Sequence, residues 1–279
     1  MGRTGRGVSS GAASILAAGG HPVAALQSGA VSTDPFAQVL DQVAGIDGWM
    51  TDDQARLLWE SARALRAGDQ VVEIGSFQGR STIVLAHAAP AGASVTAIDP
   101  HAGNDRGPQE ISGKEQEAET DSQVFLRNLD EAGVADRVTY LRRWSQEALD
   151  EQAGPVDLLY IDGAHRYAPA RDDIRRWGER VPPGGTLLIH DSFSSVGVTG
   201  AILSSLTFSP RWRYLGRAGS MTEFRRSRLT PVERVTNVAR QLAELPWFVR
   251  NVTYKALIVA HLRGLAVRLG HDPAQEWPF

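Results

Sequence analysis

Two segments of this chain end runs of aliphatic residues with groups that titrate. The first reads Asp157-Leu-Leu-Tyr-Ile-Asp162-Gly-Ala-His165-Arg-Tyr167, and the second Pro183-Gly-Gly-Thr-Leu-Leu-Ile-His190-Asp191-Ser192. In open α/β sheets, ligands bind at the carboxyl ends of the strands, which is where these polar groups would stand. Each of Asp162, His165, His190 and Asp191 taken singly is as easily structural as functional. Four titratable groups together at adjacent strand ends would cost desolvation energy unless a ligand or a metal paired them.

A third segment, Val71–Ser81 (VVEIGSFQGRS), has the spacing of a ligand-binding turn. Val71 and Val72 read as the end of a buried strand. Gly75 and Gly79 let the chain turn sharply into a helix whose N-terminus faces a ligand. The dinucleotide pattern G-x-G-x-x-G needs glycine where Glu73 stands. An acid there repels a pyrophosphate and suits a cationic ligand, which counts against a NAD(P)-dependent oxidoreductase. Asp99, in Ala97-Ile-Asp99-Pro100, follows Glu73 by 26 residues and closes a second strand, where nucleotide-binding folds hold ribose hydroxyls. Standing alone it would read as a turn residue. Ser145-Gln146 follows a third strand, and Ser145 is also a good N-cap for the next helix.

Taken in order, these motifs resemble the class I S-adenosylmethionine (SAM) methyltransferases, with their E/D-x-G-x-x-x-G turn. Within that class they are similar to the branch of catechol-type O-methyltransferases and small sugar and antibiotic O-methyltransferases grouped as family 24. The resemblance spans about Val71 to Arg226. It implies SAM held by Glu73, Gly75, Ser76, Gly79, Ser81, Asp99 and Asp162, with Ser145 and Gln146 at the adenine. It further implies Mg²⁺ on Asp162 and Asp191, His165 as the base that takes the substrate proton, and His190 as a second base or ligand. Ser192 departs from the catechol pattern, where an amide ligand is usual.

The expected reaction is transfer of methyl from SAM to a hydroxyl of a small molecule, such as a sugar of a natural product or glycolipid. SAM carries an activated methyl group, so the protein must align the acceptor and raise its nucleophilicity, by a base or by a bound cation. Two alternatives are a non-catalytic SAM-binding or membrane-associated accessory protein and, less favoured, the oxidoreductase.

The elements that must position these groups follow an alternating pattern. Strands are expected at 70–75, 94–99, 137–142, 156–161 and 185–190, with helices near 80–89, 122–132, 145–152, 168–180 and 196–206. A hairpin of 212–216 and 221–226 follows. The fold class is α/β: a doubly wound, mostly parallel seven-stranded sheet with an antiparallel last strand, extended by helices at both ends. The expected division is a flexible extension over 1–48, the methyltransferase domain over 49–228, and a basic, apolar helical extension over 229–279. Thr51-Asp-Asp-Gln54 reads as a capping box opening a helix to about Leu65. The polar stretch His101–Asp121 is expected as a substrate-facing lid with His101, Asp105 and Arg106 near the acceptor.

The 279 residues contain no cysteine, which removes disulfides and thiolate chemistry. The net charge of −3 hides an asymmetry: 17 Lys+Arg against 27 Asp+Glu through residue 210, and 12 against 5 beyond it. The acidic body and the lack of an N/D-P-P-Y/F motif argue against nucleic acid as substrate. The basic tail is expected to pack on the parent domain, seal a homodimer or contact a membrane surface. No secretory signal is evident, and the expected location is cytoplasmic or peripheral to the inner face of the membrane.

Overall fold

Alternation of side chains along buried strands divides the core in two. The computed structural model describes residues 34–102 and 115–273, with residues 115–118 as backbone only. Its sheet contains β1 (Gln70–Ile74), β2 (Ser94–Ile98), β3 (Val138–Leu141), β4 (Leu158–Ile161), β5 (Thr186–Ile189), β6 (Trp212–Ala218) and β7 (Met221–Arg226). The spatial order is β3-β2-β1-β4-β5-β7-β6. The first five strands run parallel, and β7 is antiparallel to both β5 and β6. Val71, Leu158, Tyr160 and Leu188 face one cluster, whereas Val72, Leu159, Ile161, Leu187 and Ile189 face the other. A period of two on strands covered on both faces produces this split.

The first cluster lies under α1 (Pro35–Val43), α2 (Asp52–Arg63), α3 (Arg80–Ala88) and α4 (Glu115–Glu131), and the second under α5 (Ser145–Glu151), α6 (Tyr167–Gly178) and α7 (Val196–Ser205). The capping box expected at α2 is present: the Gln54 amide N–H donates to Thr51 Oγ1 at 3.4 Å, and the Thr51 N–H donates to Gln54 Oε1 at 2.8 Å. Every strand and helix expected between 70 and 226 has its counterpart in the structure. α4 begins earlier than expected, at Glu115, inside the stretch read as a lid. Asp105 and Arg106 lie outside the described residues.

Residues 34–48 correct the expectation of a flexible extension. Asp34 caps α1 by accepting from the Phe36 N–H at 3.1 Å, and Pro35 occupies the first turn. Phe36, Val39 and Val43, spaced i, i+3, i+7, are buried in the first cluster. The Phe36 ring meets Trp59 at 5.6 Å, with the Arg56 guanidinium 4.1 Å from its centroid.

Beyond the hairpin come α8 (Pro231–Leu242), α9 (Leu245–Val259) and α10 (Arg263–Arg268). Pro246 sits in the first turn of α9. The tail is fastened to β6 by ion pairs. Arg213 meets Glu233 at 2.6 Å, and Arg217 meets Glu244 at 2.8 Å while lying 3.8 Å over the Trp247 ring. Trp247 and Phe248 pack against the second cluster. Among the described residues, no helix is long and apolar enough to cross a membrane.

If α1 belongs to the folded body, Phe36→Ala should lower unfolding free energy by about 3 kcal/mol, read from the urea midpoint. A flexible extension would leave the midpoint unchanged.

Candidate active site

The carboxyl ends of β1, β2 and β4 open onto a cleft of about 280 Å³. Its lining includes Gly75 and Phe77 after β1, Asp99 and His101 after β2, Trp144–Gln146 at the start of α5, and Asp162–Arg166 after β4. Gly75 has φ +86°, and a Cβ there would lie 2.3 Å from the Asp162 carbonyl oxygen. Only glycine lets the two turns approach so closely.

Asp99 organises the floor. Its Oδ2 accepts from the N–H groups of Ser76 (3.0 Å) and Phe77 (2.9 Å), and its Oδ1 from that of His101 (2.8 Å). Three of the roughly four acceptor positions of a carboxylate are thereby filled. The group is fixed in direction and keeps capacity for one further donor. His101 borders the cleft with both ring nitrogens already paired. It is buried, its Nε2–H donates to the Phe77 carbonyl at 2.7 Å, and its Nδ1 accepts from Tyr140 Oη at 2.6 Å.

Glu73 and Ser81 lie behind the cleft wall and do not line it. The Ser81 hydroxyl donates to Glu73 Oε1 at 2.5 Å, and that of Thr82 donates to Oε2. Glu73 shares a sheet face with Val71, so its carboxyl points into α3. Burial pushes its pKa up to about 8, against the opposing hydrogen bonds from Ser81 and Thr82. Gly79 is likewise structural, as the N-cap of α3 at φ +90°. The Ser76 hydroxyl is buried and has no hydrogen-bond partner among the described residues.

Ser145 does not cap α5; it is that helix's first residue. Its hydroxyl donates to Asp173 Oδ1 at 2.5 Å. Asp173, on α6, lines the cleft, and burial pushes its pKa to about 6 despite that bond. The sequence reading missed Asp173, as it missed Trp49 and Trp144, whose exposed rings stand at the cleft.

The four titratable groups singled out at first come together beside this cleft. Tyr160 Oη donates to Asp162 Oδ2 at 2.9 Å. His190 Nδ1 stands 3.1 Å from Asp162 Oδ1 and 3.3 Å from Asp191 Oδ2. His165 Nε2 is hydrogen-bonded to Asp191 Oδ2, and its Nδ1 is enclosed with no partner among the described residues. Burial alone would depress the His190 pKa, but Asp162 and Asp191 together raise it to about 10. Burial would raise the Asp191 pKa, but the charge of His190 and the hydrogen bond from His165 bring it well below the usual carboxylate range.

Ligand atoms of Asp162, His165 and Asp191 lie within 4.8 Å of one another. Mg²⁺ prefers a near-octahedral shell of oxygens, and this set fits it poorly. Its third member is an imidazole whose nitrogen already holds Asp191, and His190 occupies the space between the carboxylates. The Ser192 hydroxyl cannot supply a further oxygen, because it is fully buried and bonded to the Ile189 carbonyl at 2.8 Å and to Thr222 at 2.7 Å.

The sheet order is that of the methyltransferase Rossmann-like fold. A family model described as Methyltransferase domain (Methyltransf_24) matches residues 72–192. Solved structures share the fold. An O-methyltransferase from Bacillus cereus in complex with SAH aligns with 18% identity over 70% of this chain and 92% of its own, at TM-score 0.50. Cofactor-bound Rv0187 from MTB aligns with 23% identity over 74% and 95%, also at 0.50. The O-methyltransferase NovP aligns with 16% identity over 65% and 84%, at 0.51. The uncharacterized protein y4gI of Sinorhizobium fredii is 38% identical over 53 residues, which span 19% of this chain and 6% of that protein.

The raised pKa of Glu73 gives a pH test. A carboxyl that binds its proton more tightly when folded contributes stability that is complete below pH 4.5 and lost as pH rises through 8. Glu73→Gln removes that loss. The stability of the variant relative to the parent should therefore rise by ~1 kcal/mol per unit between pH 5 and 8 and level off above, in denaturant titrations. A difference independent of pH would show that Glu73 is ionised throughout.

Proposed function

We propose that the protein transfers methyl from SAM to a hydroxyl of a small molecule, with His165 as general base. The observation that carries this reading is the state of His165 at the cleft: Nε2 bonded to Asp191, Nδ1 enclosed without a partner among the described residues. A carboxylate that accepts Nε2–H fixes the tautomer with the lone pair on Nδ1, an acceptor awaiting a donor. That nitrogen is closed to solvent in this structure, so the ring must turn toward the cleft before a substrate hydroxyl can supply the donor. As the oxygen attacks the methyl carbon, the carbon–sulfur bond breaks, the sulfonium becomes a neutral thioether, and the hydroxyl proton passes to His165. Asp191 stabilises the imidazolium that forms.

In this reading SAM lies along the β1–β2 end of the cleft. Asp99, with its remaining acceptor capacity, would hold the ribose, and Ser145 and Gln146 would border the adenine. Gly75 and the Ser76 turn pass beneath it, while Glu73, Gly79 and Ser81 shape that turn from behind. The cleft volume is near the lower end of the ~300–1,000 Å³ of small-molecule sites. The rings of Trp49 and Trp144 suit a cyclic acceptor such as a sugar. His190, held between two carboxylates, supplies the positive charge that a divalent cation would bring.

Calorimetry with SAH should give a Kd that Asp99→Ala weakens by at least tenfold; unchanged affinity would remove the ribose contact. With an acceptor found by screening sugars and phenols against labelled SAM, His165→Ala should cut kcat by ~10²–10⁴ and leave SAH affinity in place. EDTA should leave turnover intact. Loss of activity with EDTA and its recovery with Mg²⁺ would restore a metal role for Asp162 and Asp191.

A further inference from the structure

The C-terminal helix α9 reaches the loop that carries Asp191. After β5 the backbone turns through two non-glycine residues in the left-handed region, Asp191 at φ +54° and Phe193 at φ +55°. Such a conformation persists only where the surroundings hold it. Inside the loop, Ser194 Oγ donates to Asp191 Oδ1 at 3.2 Å, and the Ser195 N–H donates to the Asp191 carbonyl at 2.9 Å. From outside, Asn251 Nδ2 donates to the Phe193 carbonyl at 3.2 Å, and Lys255 Nζ to that of Ser194 at 3.0 Å. Asn251 is fully buried, and Arg250 bonds its side-chain oxygen at 3.3 Å, which turns the amide nitrogen toward the loop. The spacing i, i+4 puts Asn251 and Lys255 on one face of α9.

We infer that Asn251 and Lys255 are positioning residues for methyl transfer: by clamping consecutive carbonyls of the Asp191 loop, they hold Asp191 where it fixes His165. This rests on the proposed role of the His165–Asp191 pair. It makes the basic tail a support for the proposed catalytic pair, through residues that do not line the cleft. Neither residue touches the cofactor end of the cleft, so the clamp acts on turnover and not on SAM binding.

The test uses the full chain with Lys255→Met, Asn251→Leu and Lys255→Arg, the last of which keeps a donor. Hydrogen exchange at the amides of Ser194 and Ser195 should quicken about tenfold in the first two, the effect of one lost hydrogen bond on local opening, and return toward the parent rate in Lys255→Arg. With the screened acceptor, kcat should fall about tenfold or more in the first two, KM for SAM and SAH affinity should stay within about twofold, and Lys255→Arg should recover turnover. Unchanged exchange, unchanged kcat, or SAH affinity falling in step with kcat would each overturn the clamp. Exchange needs no acceptor, so it decides whether α9 holds the loop even if no hydroxyl is methylated and the proposed reaction itself fails.

Discussion

The approach of the turn after β1 to the backbone after β4 governs the rest of this molecule. At Gly75 a single added carbon would sit inside the Asp162 carbonyl. Because that carbon is absent, the two strand ends close against one another, and Asp162 and Asp99 border the same cleft. Asp99 then converts a flexible turn into a fixed surface by gathering three backbone N–H groups. The turn could otherwise satisfy those donors with water, and its geometry would vary with the ligand. Here the floor is set beforehand, which lowers the ordering entropy that binding must overcome.

The electrostatics of the interior follow two patterns. Glu73 has hydroxyl partners and no cation, so burial prevails and the carboxyl keeps its proton near neutrality. Asp162 and Asp191 face histidines instead, and there the partners prevail over burial: His190 is driven upward and Asp191 downward. His190, carrying a proton between two carboxylates, lowers the cost of gathering these groups at adjacent strand ends. The cluster needs Asp191 held in a backbone conformation that a non-glycine residue rarely adopts, and the tail helix braces the segment that does so.

Much of this was legible from residue order. Aliphatic runs ending in Asp or His gave the strands, and Thr51 with Gln54 gave a helix start by local hydrogen bonding alone. Motifs similar to those of methyltransferases, taken in order, gave the fold class. Helix α1 was hidden by the Gly/Ala/Ser bias before it, although Asp34-Pro35 and the spacing of Phe36, Val39 and Val43 carried the signal. Asp173 and Trp49 left no such trace. An aspartate in an amphipathic helix looks solvated until packing buries it, and a tryptophan after a glycine has no periodicity to place it.

The sequence by itself determined where strands and helices lie, which glycines must turn the chain, and which titratable residues end up near the sheet's carboxyl edge, because these depend on local sterics and hydrophobic period. It could not assign those residues their partners. Whether an acid faces a helix hydroxyl, as Glu73 does, a ring of amides, as Asp99 does, or an imidazole, as Asp191 does, depends on groups up to 26 positions away. The tertiary structure decided that, because burial makes every unpaired polar atom costly and packing alone selects what stands within 3 Å of it.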